Sequence, residues 1–482
     1  MPFLHLKLPL ACLVLLLCAM APAQAQWSSN PASNLVLADG SGEQVQPKMV
    51  ATGDGGFYVS WFDSNNGYSV YLQRLSADGV EQWAHNGVLV AARNFTSTQD
   101  YGLAIDPDGN ALLTFRYNDG GGIAQILAQK VAANGAVQWG SPGVFLSADA
   151  SGANSPKIAS IGGGNVAVAW SGGDGAIRVQ KLNAAGAAQW AGNGVAVVPP
   201  SGFFYLADLH GDGAGNAIAS WSAQLSFSNR QLWTQKFAAA DGAGLWGATP
   251  VKVFDGVGGA MQLGNFPPFV TDGAGGAVFV WYTVGVSAGT VRVQRVNAAG
   301  IAAFAQNGVE ASANSGQSHV SPSGAFDPVS GDTYALWRET DIATQGQIGV
   351  YAQRIDSSGA RQWGSGGKVL VPLAATDQSQ MLALPAPGGM LAVWASGGGS
   401  SMPIHVARLG TDGNHVWPAS IVDISSAPGA VSRTVGAISS SGFAAFAWTA
   451  TLTSFSGDVH AQNINLDGSL GDSDRFFGSG FE

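Results

Sequence analysis

Short apolar runs separated by glycine-rich turns recur along the chain. The first set reads as four strands, QPKMVA, GFYVSWF, SVYLQRL and GVLVA, and close copies follow it. The third strand, its turn and the fourth strand are the clearest copies: VYLQRLSADGVEQWAHNGVLV at Val70–Val90 returns as AQKVAANGAVQWGSPGVFL, VQKLNAAGAAQWAGNGVAV and AQRIDSSGARQWGSGGKVL. Runs such as FYVSW and AVFVW are almost continuously apolar, the pattern of strands covered on both faces. No helical period of any length follows residue 26. Short strands at regular spacing, four per unit of some 50 residues, match the blades of a propeller.

Tryptophan marks the units. Trp61, Trp170, Trp221, Trp281, Trp337, Trp394 and Trp448 each end a second strand, with Phe115 in the missing place; consecutive members lie 51 to 60 residues apart. A second register follows the turn: Trp83, Trp139, Trp190, Trp246, Trp363 and Trp417, with Phe304 in the fifth unit. Eight first-register positions predict eight blades. Trp27–Ala38 (WSSNPASNLVLA) reads like Trp83–Ala91, so the N-terminal stretch supplies a last strand without its first three. The unit after Trp448 ends in VHAQNINLDGSLGD and lacks a closing strand. We therefore expect an all-β, eight-bladed propeller of four-stranded blades, the N-terminal strand completing the last blade and leaving no open sheet edge.

The first 25 residues change the expected location. Lys7, the apolar run Leu8–Met20 and small residues at Ala21, Ala23 and Ala25 form an export signal; cleavage is expected after Ala25, with Ala23 as second choice. Cys18 follows Leu17, where lipidation wants a small residue. No later segment is long enough to span a bilayer. Both cysteines, Cys12 and Cys18, lie in this segment, so residues 26–470 form a single propeller without disulfides, and 471–482 a tail. We expect a secreted, periplasmic or cell-surface monomer. Losing Lys7 takes the net charge from −10 to −11. With charged residues at 11% and no basic cluster, nucleic acid is not the expected partner.

Chemistry is sparse. In the third strand Gln73, Gln129, Gln180, Gln235, Gln294 and Gln353 each precede Lys or Arg; a residue repeated in every blade is structural, and its amide is expected to satisfy backbone groups between blades. DPDGN at Asp106–Asn110 opens like a calcium loop but has Tyr117 where the bidentate Glu belongs, and reads as a turn. No H-E-x-x-H, G-x-S-x-G or Walker loop is present, and His85, His210, His319, His405, His415 and His460 show no ligand spacing. No metal or other cofactor is expected.

Candidate ligand-binding residues are those that depart from the repeat in the loops: Asp63, Tyr68, Arg116, Tyr117, Asp119, Phe204, Tyr205, Arg230, Arg338 and Glu339, beside Phe203, Phe227, Phe266 and Phe269. Aromatics next to a few charges suit a glycan or protein ligand; the bland alternative packs those aromatics between blades. A binding or interaction scaffold is the first expectation. A glycan-active hydrolase or lyase, a degenerate quinoprotein and a structural envelope component are the alternatives.

The segments RIDSSGARQWG and RLSADGVEQWA resemble the tryptophan-docking repeats of quinoprotein alcohol dehydrogenase-like propellers. The resemblance implies an eight-bladed ring with the second-register Trp docked between blades. It does not carry the cofactor, because the adjacent cysteine pair, the catalytic Asp and the calcium ligands have no match. SADGVEQW also approaches the Asp-box of sialidases, with its Gly one place early. Repeats of this kind look like those of uncharacterised secreted bacterial proteins, and RFFGSGFE (Arg475–Glu482) resembles a short C-terminal tail on exported proteobacterial proteins.

Overall fold

The computed structural model describes residues 26–472, apart from 119–121, 148–151, 191, 286–287 and 454–455. The export segment, Asp119 and the tail from 473 onward lie outside the described residues. The chain forms eight antiparallel sheets of four strands, in sequential order in the first seven, with one extra short strand in the fifth. Packing of each innermost strand on those of neighbouring sheets closes them into a ring, an eight-bladed propeller. Among the described residues the helical structure is one 3-10 turn at Ser64–Asn66, and no helix is long and apolar enough to cross a membrane.

Closure is by the N-terminal strand. Leu35–Ala38 pairs with Ser456–Ile464, Leu35 facing Ala461, so the last blade takes its outer strand from the start of the chain. Leu37 is fully buried there. The segment is also tied to both neighbouring blades. Trp27 N–H donates to the Asp78 carbonyl at 3.1 Å, and the Asn34 amide donates to the Ile424 carbonyl at 2.8 Å.

The two tryptophan registers have separate jobs. Second strands such as Phe57–Asp63 are buried over nearly their whole length, and first-register Trp61, Trp170, Trp221, Trp281 and Trp337 are fully enclosed between blades. Second-register indoles cross to the turn of the next blade. Trp83, Trp139, Trp246, Trp363 and Trp417 donate to the carbonyls of Ala133, Ala184, Ala298, Thr411 and Leu466 at 2.8 to 3.2 Å. Trp27 makes the same bond to Ala77 at 2.7 Å, which carries the contact across the closing seam. Each ring lies on the turn glycine it reaches: a Cβ at Gly300 would stand 2.5 Å from Trp246. Trp190 is the exception: its N–H is unpartnered, while Lys181 Nζ bonds the Ala239 carbonyl on the longer turn of the fourth blade.

The repeated glutamine works chiefly within its blade, and Gln353 also donates to the Ala311 carbonyl of the preceding blade at 3.2 Å. Gln129 Oε1 accepts from Lys130 N–H and Trp139 N–H, and its amide donates to the Gly140 carbonyl. Gln180, Gln235 and Gln294 repeat this, so each glutamine closes the ten-residue loop that returns the chain with its second aromatic. The base that follows has a partner too. Lys130 Nζ lies 2.7 Å from Asp106 and Arg354 Nε 2.7 Å from Asp332. The remaining acceptor capacity of Asp106 goes to the backbone N–H groups of Asp108 and Asn110. DPDGN is thus a turn whose carboxylate already holds an ammonium.

Candidate functional site

The eight innermost strands surround the central channel, and they are not equivalent. In the first, third, sixth, seventh and eighth blades pairing slips at Gln46, Ser155, Ser321, Gln380 and Arg433, each left-handed with φ of 50° to 56°. Five polar residues other than glycine at one level of one strand is a repeated bulge, a device that re-aims neighbouring groups.

Just past the bulge, one position per blade pairs with the residue before the first-register aromatic. It holds Lys48, Gly102, Lys157 and Asp208 in blades 1 to 4. In blades 6 to 8 it holds Ser323, Leu382 and Val435, and Pro268 stands beside the corresponding pair in blade 5. One half of the channel is therefore charged and the other neutral.

The charged half forms a chain of alternating sign. Lys48 Nζ lies 2.6 Å from Asp100 Oδ1, and Lys157 Nζ 2.5 Å from Asp100 Oδ2. His210 Nε2 is 3.0 Å from Asp208 Oδ2, which also accepts from Phe269 N–H at 3.2 Å. Burial raises the Asp100 carboxyl, but Lys157 and Lys48 overcome this and hold it well below its ordinary value. Burial lowers Lys48, repulsion from Lys157 adds to it, and Asp100 does not restore it. Lys157 ends above its ordinary value, because two carboxylates, Asp100 and Asp208, outweigh its burial. In the last pair burial opposes both charges and their mutual attraction wins, so Asp208 is lowered and His210 raised. Lys48, Lys157, Asp208 and His210 line a cavity of about 440 Å³ with Tyr101, whose hydroxyl is shared between Ser60 and the Gln46 carbonyl.

A second cavity of about 410 Å³ opens on the neutral half, between Leu263, Tyr282, Ser321, Gln380 and Met381. A hollow of about 390 Å³ at the closing seam is lined by Trp27, Phe443, Asn463 and Asn465. The polar side chains there already bond the Gly471 carbonyl, which marks it as part of the closure.

The loop residues singled out from sequence sit on one face of the ring, since the starts of first strands pair with the ends of second strands. They do not converge on one point. Asp63 caps the Ser64–Asn66 turn and accepts from Gln44. Tyr68 donates to Glu43 at 2.7 Å. Arg116 lies over Phe95 and Tyr117 edges Phe145. Arg230 is buried and donates through Nε to the Met261 carbonyl. Arg338 pairs with Asp377 at 3.0 Å. Glu339 is fully buried and accepts from Trp337 Nε1 at 2.6 Å. Phe204 is packed against Trp221 and Trp233. Tyr205 is different. Its ring stacks near Phe203 at 6.2 Å and meets Phe266 at 5.9 Å; Phe203 is 48% and Phe266 42% exposed. The three rings form an open platform on blades 4 and 5, with Phe227 exposed above Arg230 close by in sequence.

No family model and no curated protein matches this chain. Among solved structures it is similar to the polysaccharide lyase Uly1, at 10% identity over 89% of this chain and 91% of that one, TM-score 0.46. It is similar to a PL25 ulvan lyase bound to -[GlcA(1-4)Rha3S]-, at 11% identity over 94% and 98%, TM-score 0.46. A protein of unknown function from Dyadobacter fermentans DSM 18053 matches at 12% identity over 90% and 98%, TM-score 0.42. Identities and TM-scores this low carry no activity across.

Lys48, Asp100, Lys157 and Asp208 were absent from the sequence-based candidates. A signal for them exists: Gln46-Pro47-Lys48 and Ser155-Pro156-Lys157 are the same tripeptide pattern at the same place in two units.

Proposed function

We propose that the protein is a secreted binding scaffold that holds a carbohydrate chain on the loop face of its ring, over Phe203, Tyr205 and Phe266. The observation that carries this reading is the chain of three partly exposed rings in mutual contact, an apolar surface with one phenol at its centre. Flat, rigid rings of this kind bind the apolar faces of sugars at small entropic cost. Affinity electrophoresis against a panel of neutral and acidic polysaccharides tests it. At least one polymer should retard the protein, and Tyr205→Ala with Phe266→Ala should weaken that binding about tenfold or more. Phe145→Ala, an exposed ring on an outer strand, is the control. Unchanged retardation of the double variant sinks the platform.

One observation favours a glycan-cleaving enzyme instead: four ionisable groups, Lys48, Lys157, Asp208 and His210, meet in one cavity with shifted proton affinities. Against it, the carboxylates are engaged, Asp100 by two ammoniums and Asp208 by His210. Release of new reducing ends, abolished by Asp208→Asn, would replace the binding reading with this one.

A further inference from the structure

We infer that the charged half of the channel is a subsite for an anionic group on the bound polymer, a carboxylate or a sulfate, held between Lys48 and Lys157. This rests on the carbohydrate-binding reading and adds the chemical class of the ligand.

The fold does not require these charges. The same level of the channel is built from Pro268, Ser323, Leu382 and Val435 in the other four blades. Drawing lysines and aspartates out of bulk water opposes folding unless something is gained. The chain carries a net charge of −10, yet at this level two lysines, Lys48 and Lys157, stand against two carboxylates, Asp100 and Asp208.

The geometry is that of an occupied carboxylate site. Two ammoniums from blades 1 and 3 converge on one carboxylate. Asp100 is not on a strand; it precedes the short first strand of blade 2, Gly102–Ile105. Its side chain is 47% exposed, the most open of the four, while Lys157 is 16% exposed. Asp100 acts as an internal stand-in for the ligand's anion: rotation of this one side chain toward water frees both ammoniums. The site adjoins the platform, since Tyr205 and Asp208 share a strand three residues apart, a rise of about 10 Å. A polymer over the rings can place a substituent in the channel.

The test compares polygalacturonate, dextran sulfate and neutral dextran with the full mature chain, by calorimetry at low and high salt. An anionic polymer should bind about tenfold or more tighter than dextran at low salt, with the margin shrinking as salt screens the site. General polyanion attraction is not expected from so acidic a protein. Lys48→Met with Lys157→Met should reduce anionic-polymer affinity to the wild-type dextran level. Asp100→Asn should raise it severalfold by removing the competing carboxylate. Sulfate-only or uronate-only preference supports the subsite and names the source of the anion. Equal binding of anionic and neutral polymers by the wild type overturns it and leaves the platform standing; no gain from Asp100→Asn also overturns it, even where the double lysine variant does not fold. Binding of no polymer at all overturns both readings.

Discussion

Trp27→Ala is the sharpest test of how the ring is held shut. Trp27 is 5% exposed, donates Nε1–H to the Ala77 carbonyl at 2.7 Å, lies on Gly79 and meets the edge of Phe57 at 6.4 Å. Truncating a buried indole costs about 3–5 kcal/mol in lost contact and cavity. The closing strand that follows it is short, with three paired positions and two buried leucines, Leu35 and Leu37. Each leucine contributes about 1.5–3 kcal/mol of burial, so losing Trp27 removes a comparable share of what holds the segment. Converted to an opening equilibrium, 3–5 kcal/mol is about 10²- to 10⁴-fold. Amide exchange should therefore accelerate by that order in Leu35–Ala38 and in its partner strand Ser456–Ile464, before any other blade responds. Trp139→Ala is the matched control: 8% exposed, with the same bond to Ala184, but between blades joined by the chain itself. It should lower global stability by a similar amount without singling out those two strands. Exchange mass spectrometry with urea denaturation reads both. Identical exchange patterns for the two variants, or a cost below about 1 kcal/mol for Trp27→Ala, would refute closure by this docked segment.

Other predictions concern turns, ion pairs and pH. Gly300→Ala and Gly109→Ala both place a side chain at φ +80°, which costs about 1–2 kcal/mol. Only Gly300 has an indole at 2.5 Å, so its variant should lose a further ~1–3 kcal/mol in denaturation, and equal losses would mean the rings are not seated on these turns. Lys130→Met strands Asp106, which is 5% exposed, and should cost about 3 kcal/mol; calcium or chelator should leave the melting temperature of the wild type unmoved, because Lys130 fills the carboxylate. The Asp208–His210 pair should set a pH dependence. The stability from His210, raised above its ordinary 6.5, is complete below that value and is lost as pH rises through the folded value. That from Asp208, lowered below 3.8, is complete above 3.8 and is lost on acidification. Lys157 and the Phe269 backbone face the same pair and shift the edges of this window, not its order. Melting temperature should decline on the alkaline side as pH rises above 6.5 through the raised folded value, and His210→Asn should flatten that decline; an unchanged slope in the variant would assign it to other groups.

Why the ring could be read from the chain and its channel could not is a matter of which residues repeat. Tryptophans recur because every blade meets its neighbour the same way, so Trp61 and its counterparts count blades directly, and Trp27 without preceding strands announces the closure. Gln129 recurs too, but recurrence gives no direction: its bonds to Trp139 N–H and the Gly140 carbonyl depend on how the loop folds back. A site cannot recur in this way. It needs blades that differ at equivalent positions, and those differences lie in the first strands, where apolar periodicity is weakest. Aligning first strands brings Lys48 and Lys157 level with Gly102 between them. The structure explains that glycine: a Cβ there would stand 2.8 Å from the Ile158 backbone nitrogen, so blade 2 can present no side chain at this level. Asp100 enters the gap from outside the strand and bridges the two lysines. Its place depends on where a shortened strand begins, which no pattern of apolar and polar residues marks. The broken symmetry of the ring is thus half legible, as two lysines in register, and half a consequence of packing, as the one carboxylate that reaches between them.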